Sequence, residues 1–110
     1  MAKKELRAEL RVEVTRRGEL TAGETSFPCM VQDMSDSGLL IICTRPLTVG
    51  QSLHFTCELF PDQPIECTIE IVHTSEAGVG AKITKIDGKG AKLLQLFLQE
   101  HYTDNMKRWV

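Results

Sequence analysis

Ile65-Glu66-Cys67-Thr68-Ile69-Glu70-Ile71 alternates apolar and polar residues without a break. Successive side chains of a strand point to opposite faces, so this period of two predicts a strand with one face in a core and the other in water. The pattern spreads outward from there. Pro61-Asp-Gln-Pro64 predicts a hairpin, and before it Leu53, Phe55, Cys57 and Leu59 alternate with His54, Thr56 and Glu58. On the other side, Glu76-Ala-Gly78 predicts a turn, followed by an inner row of Val79, Ala81 and Ile83 with Lys82 and Thr84 outside. Further upstream, Val12 and Val14 alternate with Glu13 and Thr15, and Phe27, Cys29 and Val31 alternate with Pro28, Met30 and Gln32. Leu20 to Thr25 reads as a turn, Asp33 to Gly38 as a polar loop, and Arg45 to Gly50 as another turn. Leu39-Leu-Ile-Ile-Cys43 is a continuous apolar run, which predicts burial on both faces.

The period changes after Asp87-Gly-Lys-Gly90. Leu93, Leu94, Phe97, Leu98 and His101 fall at helical spacing, with Lys92, Gln95 and Gln99 on the other side. About three helical turns are expected, to plug a barrel mouth or to pair with another subunit. The fold class is therefore all-β with one C-terminal helix: about six short antiparallel strands in a barrel or sandwich. No internal repeat or low-complexity stretch stands out.

A chain of 110 residues suits one domain that can bury a core without staples. Its 42% hydrophobic and 25% charged residues are ordinary for a folded protein. Neither a signal peptide nor an apolar run of spanning length is evident, so no membrane insertion is expected, and the cytoplasm is the expected location. Cys29, Cys43, Cys57 and Cys67 lie 14, 14 and 10 residues apart with no CxxC pair, which reads as reduced core thiols, with no metal site expected. The net charge of −2 is uneven: residues 1–17 carry +3 and the rest −5. A basic head on an acidic body suits a small anion better than a nucleic-acid polymer. Only six aromatics are present, several of them in predicted core rows, which also argues against a stacking platform for single strands.

His54, His73 and His101 make no arrangement with a nucleophile or carboxylate that would support catalysis, and no HExxH, GxSxG, P-loop or GxGxxG is present. No catalytic residue is assigned, and an enzyme is not expected. The three histidines read as surface or interface residues.

Two features remain. Arg7-Ala-Glu-Leu-Arg11 places two guanidiniums four apart just before the first strand; each offers a planar fork of donors suited to phosphate. By itself it reads as a solvated charged arm. Asp33-Met-Ser-Asp-Ser-Gly38 reads first as a turn in which Asp and Ser bond their own backbone and Gly38 takes a positive φ. It also holds a carboxylate able to accept two N–H donors from a guanine edge, and a hydroxyl and amides able to bond phosphate.

The order of these features, RxxxR, two strands, DxSxxG, then an apolar strand, resembles the PilZ domain family of bacterial cyclic di-GMP receptors. Arg7 and Arg11 match the RxxxR; Asp33, Ser35 and Gly38 match the DxSxxG; Gly78-Val-Gly-Ala-Lys-Ile83 resembles the late strand, with Ile83 where the family usually has an aromatic. The resemblance covers residue 7 to about residue 100. It implies a six-stranded antiparallel β-barrel (12–102, including the helix), a flexible N-terminal arm (1–11) that wraps the ligand, and a tail (103–110). It implies cyclic di-GMP as ligand, with Arg7 and Arg11 on phosphate and guanine and Asp33 and Ser35 on guanine and ligand backbone. Gly38 would allow close approach, and Gly80 would border the site or pack within its strand. The family often has a basic residue before the first arginine; Leu6 stands there, which points to one bound ligand. The expected role is a stand-alone sensor that signals to an unidentified regulatory protein partner, as monomer or homodimer. The alternative is an adaptor of the same fold that binds no nucleotide.

Overall fold

The computed structural model describes the backbone of residues 11–108 and the side chains of residues 11–101. Arg7 and most of the expected 1–11 arm, and Trp109-Val110, lie outside the described residues. Six strands, β1 (Arg11–Ala22), β2 (Thr25–Ser35), β3 (Gly38–Ile42), β4 (Ser52–Phe60), β5 (Gln63–Ser75) and β6 (Gly78–Ile86), precede helix α1 (Gly88–Arg108). The strands close into a barrel in the order β1-β2-β3-β6-β5-β4, every neighbouring pair antiparallel. The predicted barrel with one C-terminal helix is the observed fold.

The inner rows fall where the period of two put them. Leu53, Phe55, Cys57 and Leu59 of β4 and Ile65, Cys67, Ile69 and Ile71 of β5 are all buried. Val12, Leu20, Phe27, Cys29, Val31 and Ala81 join them in one core. Removing this much apolar surface from water is what drives the chain to close.

Four expectations change. Leu20–Thr25 is mostly strand: β1 runs on to Ala22, because Leu20 pairs with Phe27 on one side and Phe55 on the other and is fully buried. Leu39–Cys43 is buried on one face only. Leu39 and Ile41 face the core, while Ile42 is 44% exposed, since among the described residues no layer covers the outside of the barrel there. Arg45–Gly50 belongs to a crossover rather than a hairpin, carrying the chain from β3 to β4, which are not neighbours; Gly50 N donates to Ile71 O and Ile71 N to Gln51 O. The helix is nearly twice the expected length, running through most of the expected tail to Arg108.

Helix α1 begins where Asp87 caps it: the carboxylate accepts from Gly90 N at 2.7 Å, satisfying an amide that has no partner in the first turn. Leu94, Phe97 and Leu98 are buried against the barrel. The described side chains of the helix thus dock on its own barrel.

All four cysteines are free, and all but Cys43 are buried. Burial pushes the thiols of Cys29, Cys57 and Cys67 up from 9.0 to about 12, 11 and 12. A thiol that holds its proton longer in the folded state contributes stability that is complete below the unfolded value of 9.0 and lost as pH climbs through 11 to 12. The urea midpoint is expected to fall steadily above pH 9; a midpoint unchanged across that range would contradict the burial of these thiols.

Candidate functional site

Alternation fails once along β2, and the site follows from that failure. Phe27, Cys29 and Val31 face inward, but the next inward residue is Met34. Between Val31 and Asp33 the register with β3 slips, and Gln32 is the extra residue. A bulge of this kind re-aims the side chains beyond it. Asp33 therefore faces outward on a strand, where the sequence predicted a loop. The strand continues to Ser35, and only Asp36 and Ser37 form the turn into β3.

Ser35 is fully buried. Its Oγ accepts from Ser37 N at 3.2 Å and Gly38 N at 3.0 Å and donates to Gly38 O at 3.3 Å. The hydroxyl is thus committed to the turn. It is set back from the outer surface and holds the backbone of the turn beneath the site. Gly38 does not have the positive φ expected of it. Its lack of a side chain is needed for packing: a Cβ there would sit 2.7 Å from Ala81 O of β6.

Outside the barrel, β2, β3, β6 and β5 present a continuous row. Asp33 pairs with Leu40, Leu40 with Gly80, and Gly80 with His73. Three interstrand spacings make this row about 14 Å long. Above it lies an open cleft of about 340 Å³, lined by Arg11, Asp33, Gly38 and Gly80 together with Ser37, Leu40, Val72, His73 and Lys82 among others. A second hollow, of about 280 Å³, adjoins it through Asp33 and Leu40 and reaches Glu13.

Arg11 Nη1 lies 2.7 Å from Asp33 Oδ1. The two are diagonal neighbours, since Arg11 pairs with Ser35 and Asp33 with Glu13. Glu13 directly opposite Asp33 is a like-charge pair that costs stability, and the Arg11 guanidinium offsets it. Among the described residues the cleft thus carries two cations, Arg11 and Lys82, beside one carboxylate, over a floor that is apolar at Leu40 and bare backbone at Gly80. Such a surface suits a compact anion with planar, hydrogen-bonding parts.

Of the six expected ligand residues, the structure brings Arg11, Asp33, Gly38 and Gly80 to one cleft and buries Ser35 beneath it. Arg7 lies outside the described residues. Sequence reasoning missed His73, Lys82, Leu40 and Val72. The signal that would have found His73 is its place two residues before Ser75, as Asp33 stands two before Ser35. Among the described residues no three His, Cys, Asp or Glu side chains are grouped to hold a metal, and no helix is long and apolar enough to cross a membrane.

A family model described as PilZ domain matches residues 5–100. A search of curated proteins finds no match. Solved structures share the fold. The inhibitor of motility MotI/DgrA of Bacillus subtilis superposes with a TM-score of 0.72 at 13% identity, over 91% of this chain and 51% of that one. The PilZ domain of YcgR from Escherichia coli, solved with c-di-GMP, gives 0.69 at 8% identity, over 92% and 95%. PlzA of Borreliella burgdorferi, solved in complex with c-di-GMP, gives 0.64 at 15%, over 88% and 44%. The chain spans about half the length of the Bacillus and Borreliella proteins and nearly all of the YcgR domain.

Proposed function

The chain belongs to the PilZ domain family, and from that premise we propose that it is a receptor for cyclic di-GMP rather than an enzyme, binding the ligand on the outer face of β2, β3, β5 and β6. The observation that carries this reading is the meeting of Arg11 and Asp33, 22 residues apart in sequence, at 2.7 Å on the rim of the cleft. A guanidinium and a carboxylate paired this way neutralise each other in the absence of ligand. Cyclic di-GMP supplies a better partner for each: phosphate oxygens for the guanidinium, and the N–H donors of a guanine edge for the carboxylate. Binding therefore exchanges one exposed ion pair, worth at most about 1 kcal/mol, for two charge-assisted contacts. Arg7 supplies the second guanidinium of the RxxxR arm in this proposal, and ordering of that arm is the change a regulatory protein partner reads.

Isothermal titration with cyclic di-GMP tests the reading. Heat saturating at a defined stoichiometry is expected from the wild-type chain. A flat trace at tens of micromolar protein would establish the alternative, an adaptor of this fold that binds no nucleotide. Undiminished binding in Arg7→Ala/Arg11→Ala would also overturn the proposal.

A further inference from the structure

The four cysteines read from the sequence as separate core thiols, but the barrel sets two of them face to face. β2 and β3 run antiparallel with Val31 opposite Ile41 and Met30 opposite Ile42. One step further along the same register, Cys29 stands opposite Cys43. The register holds beyond that point: Arg45 would fall opposite Phe27, and its guanidinium lies 4.9 Å over the Phe27 ring. Cys29 is buried in the inward row of β2, and Cys43 packs half-buried against the same core. Burial pushes the Cys29 thiol up to about 12, and the nearby Cys43 adds to the push. Both cysteines also line one hollow of about 210 Å³, together with Arg17, Met30, Ile42 and Thr44 among others.

Directly opposed residues of an antiparallel pair have Cα atoms about 4.5–5.5 Å apart, inside the roughly 4.4–6.8 Å that a disulfide spans. No other two of the four cysteines stand in this relation. Cys57 pairs with Ile65, so Cys67 is its diagonal neighbour, at about 7–8 Å. Cys29 and Cys57 both pair with Gly18, so they are two strands apart, about 10 Å.

We propose that Cys29 and Cys43 form a reversible disulfide when the chain meets a hydroperoxide, and that this bridge staples the hairpin that carries Asp33. Cys43 reacts first, being the one thiol of the four that is not buried. Its thiolate attacks one oxygen of the peroxide. The O–O bond breaks, the second oxygen leaves as hydroxide and takes a proton to become water, and a sulfenic acid remains on Cys43. Arg17 at the hollow favours the negative charge that passes from sulfur to the leaving oxygen. The Cys29 sulfur then attacks the Cys43 sulfur, the S–O bond breaks, and the hydroxyl leaves with the Cys29 proton as a second water. Two thiols thus lose two electrons, and one peroxide is reduced to two waters. Burial keeps Cys29 protonated, which shields it from direct attack but slows the second step; its fixed place opposite Cys43 offsets that delay. A small thiol reverses the bridge by exchange. Closing the bridge gives up only a weak contact, the Cys43 Sγ–H donated to Arg45 O at 3.2 Å. The ring so closed contains residues 30–42, and with them Asp33, Ser35, Gly38 and Leu40.

The test treats the reduced full chain, folded in buffer, with a few equivalents of hydrogen peroxide, and then traps the remaining thiols by alkylation in denaturant. A Cys29–Cys43 bridge located by fragment sequencing is expected, with Cys57 and Cys67 alkylated. The oxidised chain should show a urea midpoint raised by about 1 M, because the bridge restricts the unfolded chain, and dithiothreitol should return it to the starting value. Cys43→Ser, a change at a half-buried position, should form no bridge and show no rise. A chain that keeps all four thiols, a bridge that includes Cys57 or Cys67, or a sulfinic acid on Cys43 overturns the proposal. A Cys29–Cys43 bridge with no rise in the midpoint overturns the staple. None of these measurements involves cyclic di-GMP, so their outcome is independent of the receptor reading.

Discussion

Asp33→Ala is expected to weaken cyclic di-GMP binding about 10- to 100-fold and to leave the melting temperature almost unmoved. The first half follows from the loss of two charge-assisted hydrogen bonds to one guanine edge, a contact on the order of 1–3 kcal/mol. The second half follows from the surroundings of the side chain. Asp33 faces outward, its salt bridge to Arg11 involves a guanidinium that is 48% exposed, and it stands opposite Glu13. The ion pair contributes little at such exposure, and removing Asp33 also removes a like-charge pair, so the two changes nearly offset. Titration and a thermal melt on the same preparation separate the outcomes. A large fall in melting temperature would make Asp33 a structural residue of the bulge. An unchanged affinity would remove it from the site.

Phe97→Ala is expected to cost about 3–5 kcal/mol, a large share of the 5–15 kcal/mol typical of a domain. Phe97 is 1% exposed and, with Phe55, is one of the two largest fully buried side chains among the described residues. Its ring meets Phe60 of β4 edge-on, with centroids 5.9 Å apart, and the Arg16 guanidinium sits 5.0 Å over it. Arg16 is itself an inward-row residue of β1, tolerated because it donates to the carbonyls of Glu58 and Leu59 as well. Truncating the ring opens a cavity at the mouth of the barrel and takes the aromatic face from a partly buried cation. Urea unfolding measures the loss. A midpoint shift equivalent to less than about 1 kcal/mol would mean that α1 is not anchored to the barrel as described.

The two predictions differ in how far the sequence alone could have supported them. Asp33 stood out by its place in DxSxxG, and its chemistry was legible from residue type. Its exposure was not: by strict alternation after Val31, Asp33 would have turned inward, and only the extra residue at Gln32 sends it out. Phe97 was legible as a helix residue on an apolar face, but nothing local told whether that face meets this barrel or another copy. Ser35 shows the converse. Its motif match named it as a site residue, but its burial and its three bonds to the turn were not legible from residue type.

By itself the sequence determined the number of strands, the inward residue on most of them, the single helix, and the pair of arginine and carboxylate motifs. These depend on the fixed geometry of a strand or helix, in which each side chain's direction follows from its neighbours in the chain. Only the tertiary structure decided that Asp33, Leu40, Gly80 and His73 form one row, that Lys82 joins Arg11 at the same cleft, and that Cys29 stands opposite Cys43. Those facts depend on register between strands distant in sequence and on bulges that shift it by one residue. A shift of one residue reverses which face a side chain occupies, and packing across the closed barrel sets that register.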